Sequence, residues 1–156
     1  MRLRLRATFA PMPPSGYSGT PLAKKLGLKP GFAIKLIDAP QDYRALFDDW
    51  PEGLSEPADA IPKDFIHLFA TRLASLRDKL PSSRREMKPD AALWVSWPKK
   101  AAKVAADIGE NDIRALALQN GLVDVKVCAI DTTWSGLKLV IPLKLRAAHA
   151  KTLSSS

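Results

Sequence analysis

Gly16, Tyr17, Ser18, Gly19 and Thr20, followed by Lys24 and Lys25, form the stretch of this chain whose residue types most directly invite a ligand. Thr20 reads as a helix N-cap, Pro21 as the first helical residue and Gly27 as the stop, so a short helix is expected between them. Leu22 and Leu26, four apart, share the face that would dock it. A helix N-terminus presents unpaired N–H groups and partial positive charge, so a glycine loop ahead of it can hold a phosphate or carboxylate. The spacing matches neither G-x-x-x-x-G-K-[ST] nor G-x-S-x-G, so neither a nucleotide phosphate loop nor a serine nucleophile is implied. The competing reading is a capped helix whose glycines permit the turn and whose lysines face water.

A second constellation depends on strand ends. Apolar runs at 32–37, 64–70 and 92–97 read as buried strands, and they end at Asp38, Thr71 and the segment Ser96, Trp97, Pro98, Lys99, Lys100. In open α/β sheets ligands bind outside the carboxyl ends of parallel strands, so Asp38, Thr71, Trp97, Lys99 and Lys100 are expected around one crevice. Trp97 can stack on a planar ring while Lys99 and Lys100 meet an anion. Alternatively, Trp97 fills the crevice and the lysines are solvated. A nucleotide-binding fold would place a glycine-rich loop after its first strand. Here that corner is Asp38, Ala39, Pro40.

No other residues assemble a catalytic set. His67 alternates with Phe65 and Phe69 and reads as a core histidine; His149 lies near the C-terminus. Two histidines and Cys128 provide no metal-ligand spacing, so no metal site is expected. Asp48 and Asp49 read as loop solubility, and Trp134 as either an exposed contact or a ring folded onto the sheet.

The elements that would carry these residues follow from pattern. A helix is expected from Thr71 through Leu73, Leu76 and Leu80, interrupted at Pro81. Another is expected over 110–120, with Ile113, Leu116 and Ala117 inward and Gly121 as its stop. Strands at 122–130 and 137–141 are joined by a gap too short for a helical crossover and long enough for a hairpin. Residues 1–14 read as a basic, proline-rich arm, 15–146 as one α/β domain and 147–156 as a flexible tail. The fold class is therefore α/β, one domain with about five strands, mostly parallel, closed by a C-terminal antiparallel hairpin.

Composition bounds the function classes. The chain has 156 residues, 46% of them hydrophobic and 26% charged, which is globular rather than disordered. No apolar run approaches the roughly 18 residues needed to span a bilayer. The alternating N-terminus is not a secretion signal, and one cysteine fits a reducing compartment, so the cytoplasm is expected. The net charge is +8, distributed as +7 over 1–37, −6 over 38–64 and +7 beyond. Such an excess favours anionic partners without specifying one.

The order of strands and helices resembles the later part of the class I S-adenosylmethionine-dependent methyltransferase fold, a Rossmann-like architecture. More narrowly, GYSGTPL at 16–22, KLGLKPG at 25–31, ALWVSWPKK at 92–100 and VDVKVCAIDTTWSGL at 123–137 resemble a bacterial family of uncharacterised proteins, a domain of unknown function. That family brings no established activity. Methyltransferases of the broader class cradle their cofactor with a glycine turn after strand one and hold its ribose with an acid after strand two. This chain has Asp38, Ala39 and Pro40 at the first position and the proline-broken segment 54–57 at the second, where Glu56 is the candidate acid. The resemblance thus implies a methyltransferase-like module without catalysis or cofactor, binding a protein partner or a small anionic ligand. The alternatives are a divergent methyltransferase or other small-molecule enzyme, and weak, sequence-independent nucleic-acid binding through the basic ends.

Overall fold

The computed structural model describes residues 19–154, so Gly16, Tyr17, Ser18 and the arm at 1–14 lie outside the described residues. In chain order the elements are α1 (Leu22–Leu26), β1 (Ile34–Ile37), a 3-10 turn (Tyr43–Leu46), β2 (Lys63–Phe69), α2 (Leu73–Arg85) and β3 (Met87–Pro98). A second 3-10 turn (Lys100–Ala102), α3 (Glu110–Gln119), β4 (Val123–Ala129), β5 (Trp134–Val140) and α4 (Leu143–Ser154) complete them. The five strands form one sheet in the order β1-β2-β3-β5-β4. β1, β2 and β3 are parallel; β5 is antiparallel to both its neighbours, β3 and β4. Four strands therefore share one direction and β5 alone is reversed, which is the mostly parallel sheet with a closing hairpin that the pattern implies.

Alternation along the central strands sorts the core into two layers. Ile66, Leu68, Leu93, Val95, Leu137 and Leu139 pack on one face against Leu76 and Leu80 of α2 and Ile113, Leu116 and Ala117 of α3. Ile34, Phe65, Phe69 and Trp94 pack on the other against Leu26 of α1 and the aromatic turn carrying Tyr43 and Phe47. Both faces of β2 and β3 are covered, which is why those strands read as unbroken apolar runs. Trp94 ties α1 to the sheet: its indole N–H donates to the Leu26 carbonyl at 2.9 Å. Gly136 of β5 faces that indole, and a Cβ there would lie 2.9 Å from Ile130 Cδ1 and 3.1 Å from Trp94 Cε3.

Local chemistry explains where the elements depart from pattern. Pro21, not Thr20, occupies the N-cap position of α1, with no side-chain cap, while Gly27 ends the helix in the left-handed conformation as expected. Thr71 does not cap α2. Arg72 sits at the cap, and the Leu73 N–H is satisfied by Asp107 Oδ1 at 2.7 Å. Pro81 does not interrupt α2. The Ser82 and Ser83 hydroxyls donate to the Lys79 carbonyl at 3.1 and 2.8 Å, and Leu76 and Leu80 are fully buried, so packing outweighs the lost backbone bond.

The flexible tail expected from 147 is instead part of α4. Its alanines, leucines and lysines are strong helix formers. It is fixed to the sheet by His149, whose Nε2–H donates to the Met87 carbonyl at 2.6 Å. The hairpin is also tighter than expected, because Asp131 Oδ1 accepts the N–H groups of Thr133 at 2.9 Å and Trp134 at 2.7 Å. That turn starts β5 at Trp134 rather than Leu137.

Candidate functional site

The corner after β1 is built around an aspartate in a conformation that favours glycine. Asp38 has φ 56°, and its carboxylate is ion-paired with Lys79 of α2. Asp and Asn tolerate this region better than other L residues, which is how a non-glycine residue holds the turn. Ala39 and Pro40 follow, and the Pro40 carbonyl accepts the Tyr43 N–H at 3.0 Å to open the 3-10 turn. No glycine occurs between Gly31 and Gly53. Proline has no N–H, so this corner cannot offer the row of backbone donors that cradles a nucleoside-bearing cofactor.

The second cofactor-holding position is equally reduced. Segment 54–57 contributes one parallel bridge, Ala33 to Ser55, closed by Ile34 N–H to Ser55 carbonyl at 2.8 Å and Ser55 N–H to Phe32 carbonyl at 3.0 Å. Glu56 is exposed and lines a groove beside Pro40, Tyr43, Trp50 and Leu54. It lies outside the crevice at the strand ends.

That crevice, about 240 Å³, is lined by Asp38, Phe69, Thr71, Arg72, Ser75 and Trp134. It is smaller than the roughly 300–1,000 Å³ typical of small-molecule sites. The structure thus brings Asp38 and Thr71 together but does not bring Trp97, Lys99 or Lys100 to them. Trp97 is buried among the residues packed under α2 and α3. Lys99 spends its N–H on the Thr133 carbonyl at 2.8 Å, and Lys100 is exposed on the following turn. Their place is taken by Trp134, whose ring meets Phe69 edge-on with centroids 5.0 Å apart. The signal that could have found it is the Asp131 turn, which aims the first residue of β5 back toward the strand ends. The corner and the bridge thus lack the glycine turn and the full second strand on which a bound S-adenosylmethionine would rest.

Thr20, Lys24 and Lys25 are drawn into a different concavity, an open groove of about 550 Å³ shared with Lys126, Val127 and Cys128 of β4. Gly19, with φ 82°, turns the chain into it from an exposed position. Lys25 Nζ donates to the Ala129 carbonyl at 3.0 Å and Lys126 Nζ to the Lys25 carbonyl at 2.9 Å, so each lysine fixes the other's element. The positive field extends further. Burial, then Lys126 and Lys29, hold the Lys138 ammonium below its ordinary pKa. Burial pushes the Cys128 thiol up, with Lys25 and Lys126 opposing, so it is not a poised nucleophile.

One buried chain of hydrogen bonds has the connectivity of a catalytic relay. Tyr43 Oη lies 2.9 Å from His67 Nδ1, and His67 Nε2 lies 2.7 Å from Ser96 Oγ. All three side chains are buried, and His67 stacks on Phe69 with centroids 4.3 Å apart. Burial holds His67 down at about 3 and raises Tyr43. An imidazole so hard to protonate, beside a fully buried serine, is a structural bridge between the aromatic turn, β2 and β3. Among the described residues no three His, Cys, Asp or Glu side chains are placed to hold a metal, and no helix is long and apolar enough to cross a membrane.

No protein-family profile matches the chain, and no curated protein matches it. Solved structures do. It is similar to the magnesium protoporphyrin IX methyltransferase ChlM from Synechocystis PCC 6803, whose crystal structure has bound SAM. There the identity is 13%, the match covers 76% of this chain and 74% of that one, and the TM-score is 0.50. A protein of the NADB-Rossmann superfamily from Streptococcus agalactiae matches at 13% identity, 77% and 67% coverage and TM-score 0.48. An enzyme described as a pericyclic reaction enzyme matches at 13% identity and TM-score 0.46, and this chain spans 39% of it. At this identity the likeness to ChlM is one of fold. The protein is a single α/β domain of the Rossmann-like, methyltransferase-like kind.

Proposed function

We propose that the chain is a non-catalytic methyltransferase-like module that binds a small anionic ligand or an acidic partner at the lysine groove between α1 and β4. The observation that carries the non-catalytic part is the corner after β1, where Asp38 is committed to Lys79 and Pro40 removes a backbone donor. The anionic class follows from Lys24, Lys25 and Lys126 lining one groove, with Lys29 and Lys138 close enough to share its field. The proposal includes membership of the bacterial family carrying the motifs at 16–22, 25–31, 92–100 and 123–137, and residence in the cytoplasm, supported by the single cysteine.

Calorimetric titration of S-adenosylmethionine into the full chain should give no saturable heat; micromolar binding would overturn the non-catalytic reading. For the groove, pyrophosphate should raise the melting temperature of the full chain and fail to raise that of Lys126→Glu, because a ligand of the native state stabilises it by mass action. Equal shifts in both proteins would remove the groove from the account. A nucleic-acid backbone is the second reading, favoured by the same lysine cluster. It differs in requiring a steep loss of affinity with added salt.

A further inference from the structure

A further concavity lies away from both regions, at the opposite end of the sheet, where the 59–62 loop, the end of α2 and one side of α4 meet. This cleft of about 500 Å³ is walled by Pro62, Leu145, Ala148 and Leu153, with Arg84, Arg85 and His149 among its polar lining. Its size falls within the usual range for small-molecule sites. Among the described residues the carboxylates and the imidazole of this lining have partners, while its two arginines form no ion pair. Glu86 is held by Lys35 at 2.8 Å and by the fully buried Lys63 at 3.0 Å, and Asp59 is held by Lys35 at 3.1 Å. His149 donates through Nε2 to the Met87 carbonyl, which leaves Nδ1 as an acceptor, and Arg84 Nη1 lies 3.5 Å from it.

Of these two arginines, Arg84 is the one fixed in place. Its Nε donates to the Gly121 carbonyl at 3.2 Å, and the guanidinium lies so close over Gly121 that a Cβ there would sit 3.1 Å from Nε and Nη2. The cation is therefore fixed in position by a carbonyl, an imidazole and a missing side chain. Among the described residues no carboxylate forms an ion pair with it. Burial lowers its pKa, in keeping with a charge set partly out of water. A fixed, partly buried guanidinium without a counter-ion, facing an apolar wall, is one half of a charge-assisted contact.

We propose that this cleft binds a small amphiphilic carboxylate, its apolar body against Pro62, Leu145 and Leu153 and its carboxylate on Arg84, with Arg85 reinforcing the field. The test is calorimetric titration of decanoate into the full chain below its micellar concentration, with decanol and decyltrimethylammonium in parallel. Decanoate should bind at one saturable site about tenfold or more tighter than either control, a difference set by the charge pair.

Ala148→Glu, on the exposed side of α4, places a carboxylate beside Arg84 and should weaken decanoate at least about tenfold while the melting temperature holds. Arg84→Gln should do the same, read only if its melting transition remains cooperative. Lys126→Glu should leave decanoate binding unchanged. Equal binding of decanol, unaltered binding in Ala148→Glu, loss of binding in Lys126→Glu, or no saturable binding at all would each overturn the assignment.

Discussion

His67 shows how a single buried group sets a measurable property. Its folded-state pKa of about 3 lies below the unfolded value near 6.5, so between those limits the unfolded chain binds a proton that the native chain does not. Stability is therefore complete above about pH 6.5 and falls as pH drops, by roughly tenfold in the folding equilibrium per pH unit from this group. Denaturant melts between pH 7 and 4 should show that slope. His67→Gln should start less stable at pH 7 and fall less steeply. Gly136→Ala is a second residue-scale test: a methyl 2.9 Å from Ile130 Cδ1 and 3.1 Å from Trp94 Cε3 should cost about 1–3 kcal/mol, read as a shift in denaturant midpoint. That His67 belongs to the core is legible from its alternation with Phe65 and Phe69. Its partners are not, because Tyr43 and Ser96 stand 24 and 29 residues away and only the parallel sheet brings them together.

Elements are held where strands begin as firmly as where they end. Lys63 opens β2 with no exposed surface, and its ammonium meets Glu86 at 3.0 Å and the Ile61 carbonyl at 2.5 Å. Removing the carboxylate leaves a buried charge without its counter-ion, so Glu86→Gln should cost about 3 kcal/mol or more in chemical denaturation. His149→Ala should cost about 1–2 kcal/mol by stranding the Met87 carbonyl, a change that a flexible C-terminus would not register. β2 and β3 were legible as unbroken apolar runs, and α3 because its period is strong. α4 was not: Ala147, Ala148, His149 and Ala150 carry little apolar contrast, and the helix is held by the buried His149 together with Leu145 packed on the core. Pro81 misled for the opposite reason, since a local breaker sits on a helix whose packing on the sheet is already decided by Leu76 and Leu80.

At the scale of the whole molecule, the fold and the placement of charge point to different surfaces. A methyltransferase-like sheet has its usual ligand corner closed by Asp38, Lys79 and Pro40, while positive charge gathers on the lysine groove and around Arg84. The absence of a glycine turn is local and was readable. The lysine groove was readable only in half, because Lys25 and Ala129, the bond that forms it, are 104 residues apart. If the groove engages nucleic acid, the affinity for a labelled single-stranded oligonucleotide, read by anisotropy, should fall steeply between 50 and 200 mM salt, on the order of 10²–10³-fold for about six phosphate contacts. A flat salt response would leave only small anions and acidic partners. The non-catalytic proposal depends on the corner after β1 being unable to hold an adenosyl group. A crystal grown in millimolar S-adenosylmethionine tests it most directly: Asp38 should remain on Lys79 with no cofactor beside it, and density for the cofactor against Ala39 and Pro40 would contradict the account.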